Sequence, residues 1–155
     1  MHLRIISIGK IKQGFVLGGE EEYLKRIKPW TSLELKELPT ERLASIPDTK
    51  RQEEESKLFL KAIESTDFVV VLDERGKART SHEFADFFRD KMNEGVGRVV
   101  FGIGGAMGWH DATRKRANLL LSLSPMTFTY QMTRLILIEQ IYRALAIVKG
   151  TPYHK

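Results

Sequence analysis

A chain of 155 residues is long enough for one domain with a substantial core and too short for two. Its 42% hydrophobic and 29% charged residues are ordinary for a globular domain, and the absence of cysteine excludes disulfides, thiolate chemistry and Cys-based metal sites. The net charge is a modest +5, and no stretch approaches the roughly 18 apolar residues of a membrane span, so a cytoplasmic protein is expected, with no membrane partner.

In chain order the pattern alternates strand and helix. Leu3–Ile8 reads as a β-branched strand, Glu20–Ile27 as a charged helix and Leu33–Leu38 as an alternating, half-exposed strand. Thr49 is placed to cap an amphipathic helix over Lys50–Glu64. Phe68–Leu72 is a continuous apolar strand of the kind buried on both faces of a parallel sheet. Thr80 or Ser81 caps a helix to Asn93 that turns Phe84, Phe87 and Phe88 inward. Then come a second central strand, Arg98–Ile103, a helix near Asp111–Asn118, a short strand Leu119–Ser124, and a long helix from Gln131 to Val148. This order implies a single α/β domain over residues 1–155, a mainly parallel sheet with helices on both faces. Ligands of such sheets bind at the carboxyl ends of the strands, which selects Leu72–Gly76, Ile103–Gly108 and Leu123–Tyr130.

Charge is unevenly placed. Residues 1–78 carry 14 basic and 14 acidic side chains, whereas residues 79–155 carry 11 basic and 6 acidic, so the second half holds the whole surplus. A polyanion such as nucleic acid is a natural partner for that half, although a solvated basic face would look the same. The four histidines are scattered without ligand spacing, so no metal is expected.

Four segments are able to carry chemistry. Gly104-Gly105-Ala106-Met107-Gly108 follows a buried strand, and its glycines let backbone N–H groups approach an adenosine or a carboxylate. An ordinary strand-to-helix turn would have the same composition. The segment matches neither the phosphate-binding GxxxxGK[ST] loop nor GxGxxG. In Leu123-Ser124-Pro125-Met126-Thr127-Phe128, Pro125 must end the strand, yet the segment stays apolar. It suits one wall of an adenine pocket, or simple packing under the next helix.

In the long helix, Leu135 to Ile138 are consecutive, which calls for burial on nearly all sides and suggests a homodimer. Glu139 and Arg143 stand at ion-pair spacing, while Arg134 has no acid within one turn and is the better functional candidate. The tail Tyr153-His154-Lys155 offers an aromatic ring, an imidazole and a cation, suited to a base, a proton and a phosphate.

Taken together, IGGAMG, LSLSPMTFTYQMTR, LILIEQIYRA and the terminal PYHK resemble the RlmH family over essentially the whole chain. These are SPOUT-class methyltransferases that modify a pseudouridine of large-subunit ribosomal RNA. The resemblance implies a carboxy-terminal trefoil knot and S-adenosylmethionine bound by Leu72, Gly104 and Leu123, Ser124, Pro125, Met126, Thr127 and Phe128. Those positions coincide with the three strand ends already selected. The family commonly has histidine where this chain has Tyr130.

The expected reaction is methyl transfer to N3 of a pseudouridine in 23S ribosomal RNA, on the assembled ribosome. Arg134 would favour the anion left when N3 loses its proton, His154 would accept that proton, and Tyr153 would stack on or hydrogen-bond the base. The alternative is a non-enzymatic RNA- or ribosome-binding module of the same fold. A flavodoxin-like signalling domain would want acids at the end of the first strand, where this chain has Ser7-Ile8-Gly9-Lys10.

Overall fold

The structure, a computed structural model, describes residues 1–154. Five strands, β1 (His2–Ile8), β2 (Leu33–Leu38), β3 (Phe68–Ala78), β4 (Arg98–Ile103) and β5 (Leu119–Ser122), form one all-parallel sheet in the order β2-β1-β4-β3-β5. Helices α1 (Gly14–Ile27), α3 (Ser81–Asn93) and α5 (Tyr130–Lys149) cover one face; α2 (Asp48–Lys61) and α4 (Asp111–Arg116) lie on the other.

Side-chain alternation along β1 divides the core. Leu3 and Ile5 pack with Phe84, Phe88, Leu137 and Ile141, whereas Ile6 and Ile8 pack with Phe59 and Trp109. Ser7, on the first of these faces, is fully buried beneath α5. The α/β architecture with helices on both faces is as the alternation of elements predicts. The capping of α3 also follows the sequence: Thr80 Oγ1 accepts from the Glu83 N–H, and Glu83 returns a bond to the Thr80 N–H.

Three boundaries differ from expectation for identifiable reasons. Helix α1 starts at Gly14 rather than Glu20 despite three helix-weakening glycines, of which Gly19 serves packing. A Cβ at Gly19 would stand 2.8 Å from a Leu135 methyl, so the glycine lets α1 lie close against α5. Helix α2 starts at Asp48 behind Pro47, and Thr49 lies inside its first turn. Strand β3 runs past Leu72 because the chain bulges outward: Leu72 and Lys77 both register with Leu121, and Asp73–Gly76 loop out between them. Gly76 is required where the bulge returns, since a Cβ there would lie 2.7 Å from the Leu120 backbone.

Candidate active site

The carboxyl ends of β3, β4 and β5 open into a cavity of about 910 Å³. Its apolar wall comes from Leu72, Ile103, Leu121, Leu123 and Phe128, and its polar rim from Gln52, Asp73, Arg75 and Arg114. The size and the apolar lining with few polar groups suit a nucleoside-sized ligand.

The glycine turn forms the floor, and tight packing behind it explains its composition. A Cβ on Gly102 would meet the Phe59 ring at 2.7 Å, and one on Gly104 would stand 3.2 Å from the Trp109 indole. Trp109 is buried against Phe59 and donates its Nε1–H to the Leu72 carbonyl at 3.2 Å, tying the ends of β3 and β4 together. Gln52 of α2 holds the turn from the other side, donating to the Met107 carbonyl at 2.8 Å. Gly108 takes a left-handed φ of 68°, which favours glycine.

Behind Gly105 stands Glu55. Its Oε2 is buried without a hydrogen-bond partner among the described residues, 2.6 Å from where a Gly105 Cβ would lie. Burial raises the Glu55 pKa, and Arg51 opposes that only in part.

The segment after β5 supplies the roof. Ser122 Oγ donates to the Ser124 carbonyl, and Ser124 Oγ accepts from the Met126 N–H, folding the chain tightly around Pro125. Thr127 Oγ1 donates to Glu74 at 3.0 Å and links the roof to the β3 bulge. Met126 and Phe128 are exposed. Thr129 then caps α5, accepting from the Met132 N–H. Tyr130 closes the corner: its hydroxyl donates to the Lys10 carbonyl at 2.7 Å and its ring lies beside Gly9.

Of the positions selected from sequence, Leu72, Gly104, Leu123, Ser124, Met126, Thr127 and Phe128 all line this one cavity; Pro125, beside them in the roof, does not. Arg134, Tyr153 and His154 lie elsewhere.

Arg134 is buried between α5, α1 and the β1–β2 edge. Its Nε and Nη2 donate to the two Glu20 oxygens at 2.6 and 2.7 Å, and Nη1 donates to Glu37 at 2.9 Å and Ser7 at 3.3 Å. The acid missing from its own helix stands 114 residues away. Burial opposes its charge, but Glu20 and Glu37 more than offset that and hold the guanidinium protonated. Each guanidinium nitrogen already donates within the chain, and Arg134 is not among the residues that line the cavity.

The tail folds back along the middle of α5. Tyr153 packs edge-on against Tyr142, donates to Glu139 at 3.1 Å and meets the Tyr23 hydroxyl at 3.4 Å. Burial, then Tyr23 and Glu139, raise its pKa. Arg143 donates to His154 Nδ1 at 3.3 Å, and His82 stacks edge-on against the same ring. Glu139 and Arg143, which hold Tyr153 and His154, lie about 9–15 Å along α5 from Thr133, the last residue of this helix in the cavity lining, and neither tail residue lines the cavity of its own chain. Lys155 lies outside the described residues.

Sequence reasoning gave no role to Arg114, Gln52, Glu55 and Trp109, and it selected the Leu72–Gly76 stretch without singling out Asp73. Arg114 opens the run Arg114-Lys115-Arg116 in the basic half of the chain, so composition held a signal for it. Among the described residues no group of His, Asp or Glu could hold a metal, and no helix is long and apolar enough to cross a membrane.

Comparison with known proteins agrees with this geometry. A family model described as "Predicted SPOUT methyltransferase" matches residues 1–154. "Ribosomal RNA large subunit methyltransferase H" of Halothermothrix orenii is 40% identical over 159 residues, covering all of both chains. The protein of the same name from Cytophaga hutchinsonii is 38% identical over 154 residues, 99% of each chain. Among solved structures, the tRNA (m1G37) methyltransferase of Aquifex aeolicus superposes with a TM-score of 0.57 at 14% identity, covering 100% of this chain and 75% of that one, a likeness of fold. This chain belongs to the SPOUT methyltransferase family, in the branch of the large-subunit ribosomal RNA methyltransferase H proteins.

Proposed function

We propose that this chain, as a cytoplasmic homodimer, methylates N3 of a pseudouridine in 23S ribosomal RNA on the assembled ribosome, with S-adenosylmethionine as donor. The observation that carries this reading is the convergence of Leu72, Gly104, Leu123, Ser124, Met126, Thr127 and Phe128 on one apolar cavity whose rim holds two arginines, Arg75 and Arg114, beside Asp73 and Glu74. S-adenosylmethionine would supply an electrophilic methyl group on a sulfonium. Leu72, Leu121, Leu123 and Phe128 would enclose the adenine and exclude water, while backbone groups of the glycine turn and of Ser124–Thr127 fix its orientation. The knotted path implied by the family belongs to the same proposal.

Arg134 enters as a positioning residue. By pinning the start of α5 to Glu20, Glu37 and Ser7, it fixes where Thr129 and the preceding roof must lie. The chemistry at N3 still needs a group that accepts the proton and a surface that holds the base, and His154 and Tyr153 fit those needs. Because a chain's own Tyr153 and His154 are held against Glu139 and Arg143 and do not line its cavity, the tail of a second copy is the one proposed to serve. Phe15, Leu17, Met126 and Phe128 are exposed at 66%, 45%, 74% and 38%, and burying them would favour such a dimer by roughly 1.5–3 kcal/mol for each fully covered side chain.

The test is labelled-methyl transfer to ribosomes from a strain lacking the modification, compared with naked RNA. Incorporation at pseudouridine N3 in ribosomes is expected, and none in naked RNA. No incorporation into either substrate would remove the enzyme. Deleting Tyr153–Lys155 is expected to abolish turnover while leaving donor binding intact, and full turnover would remove the tail from the account.

A further inference from the structure

Four charged side chains line the cavity: Asp73, Glu74, Arg75 and Arg114. They are not equivalent. The Asp73 side chain is only 5% exposed and accepts from Arg114 Nε at 2.7 Å and from the Arg75 backbone N–H at 3.0 Å. It therefore grips Arg114 by one edge of the guanidinium. The opposite end is much freer. Nη1 reaches Asp111 at 3.3 Å, a pair whose acid is 80% exposed, and Nη2 has no hydrogen-bond partner among the described residues. Nη2 stands beside Gly108, 3.9 Å from where a Cβ would be, an ordinary contact distance.

An arginine held at Nε, with Nη2 free and Nη1 only in a long, exposed pair with Asp111, can turn the fork of its terminal nitrogens to a carboxylate, which such a fork receives through two parallel bonds. Arg75 is held less firmly: its Nε stands 3.5 Å from the same Asp73 carboxylate and its side chain is 67% exposed, so its fork is neither fixed nor recessed. A polymer phosphate would more readily meet that exposed arginine than one recessed in the wall at 21% exposure. The donor proposed above has a free α-carboxylate that must find a cation inside the cavity.

We propose that Arg114, oriented by Asp73, is the carboxylate subsite of the cavity and makes the protein selective for a donor carrying an α-carboxylate. This rests on the methyl-donor reading. The carboxylate grip also gives Asp73 a positioning role: burial pushes its pKa up, but the Arg75 N–H and the Arg114 guanidinium more than offset that, so it stays ionised to orient the arginine.

The experiment compares S-adenosylmethionine with its decarboxylated form, which keeps sulfonium, amine and nucleoside, by calorimetry on the full chain. The intact protein is expected to prefer the carboxylated ligand by about 10- to 100-fold, the range of a charge-assisted pair. Arg114→Gln, checked for native circular dichroism, is expected to erase that preference while binding the decarboxylated ligand as before, and Arg114→Lys to keep part of it. A preference that survives in Arg114→Gln, an equal loss of both ligands, or a preference that vanishes in Arg75→Gln instead would overturn the assignment. If the intact protein binds neither ligand, the methyl-donor reading itself fails, and the subsite with it.

Discussion

Arg134 and Arg114 each meet a buried carboxylate, Glu20 and Asp73 respectively, yet their surroundings differ. At the α1–α5 interface, Arg134 and Glu20 are 2% and 3% exposed, and every guanidinium nitrogen is engaged by Glu20, Glu37 or Ser7. At the cavity wall, Arg114 has one firm bond and an open end. The first cluster is complete and serves to hold elements together. The second is incomplete and has capacity for a ligand. Isolation along the sequence pointed the other way, because it counts neighbours on one helix and not across the fold.

The comparison breaks most easily at Arg134. Arg134→Ala is expected to cost about 3–5 kcal/mol in urea denaturation, since it strands the Glu20 carboxylate in the core. Replacing both partners with apolar residues of similar volume, Arg134→Met with Glu20→Leu, is expected to recover most of that loss. A loss below about 1 kcal/mol for Arg134→Ala would mean the cluster is not the structural anchor described.

Gly102→Ala drives a Cβ to within 2.7 Å of Phe59, beneath the cavity floor, and is expected to cost about 1–3 kcal/mol by thermal melting. Unchanged melting would show that the Phe59–Trp109 packing can yield.

Arg114→Gln sharpens the contrast. Its expected stability cost is about 1–2 kcal/mol, smaller than at Arg134 because Asp73 keeps the Arg75 N–H and the arginine is partly solvated. The pH dependence carries a sign. The folded pKa of Asp73 is depressed, so its stabilising contribution is present above the unfolded value and is lost as pH falls through the folded one. The Arg114→Gln deficit is therefore expected to be largest near neutrality and to shrink on acidification; a deficit that grows in acid contradicts the pairing.

Glu55→Gln is expected to have the smallest effect and the opposite sign. Burial raises the folded pKa of Glu55, so the stability of its protonated form is full below the ordinary carboxylate range and is lost as pH rises through the raised value. The glutamine variant should match the parent in acid and exceed it in melting temperature as pH increases. A variant less stable than the parent near neutrality would show that the ionised carboxylate has a partner.

Local signals located the cavity well. The apolar runs Phe68–Leu72 and Arg98–Ile103, the glycine turn and the break at Pro125 are properties of consecutive residues, and the rule that parallel sheets bind at their carboxyl ends turned them into one site. The Thr80 capping box was equally readable, since its partners are three residues apart. The bulge after Leu72 was not, because Lys77 rejoins the sheet through β5, a strand more than forty residues later, with Gly76 as the one local clue.

By itself, then, the sequence determined which stretches become strands and helices, where the chain must turn, and which strand ends have room for a ligand, because backbone propensity and side-chain periodicity act over a few residues. Only the tertiary structure decided how the charges are used. Glu20 reaches Arg134 across 114 residues and Asp73 reaches Arg114 across 41, and which of two such arginines is satisfied depends on how the helices stack on the sheet. Electrostatic pairing is settled by distance in space and by burial, and neither is written along the chain.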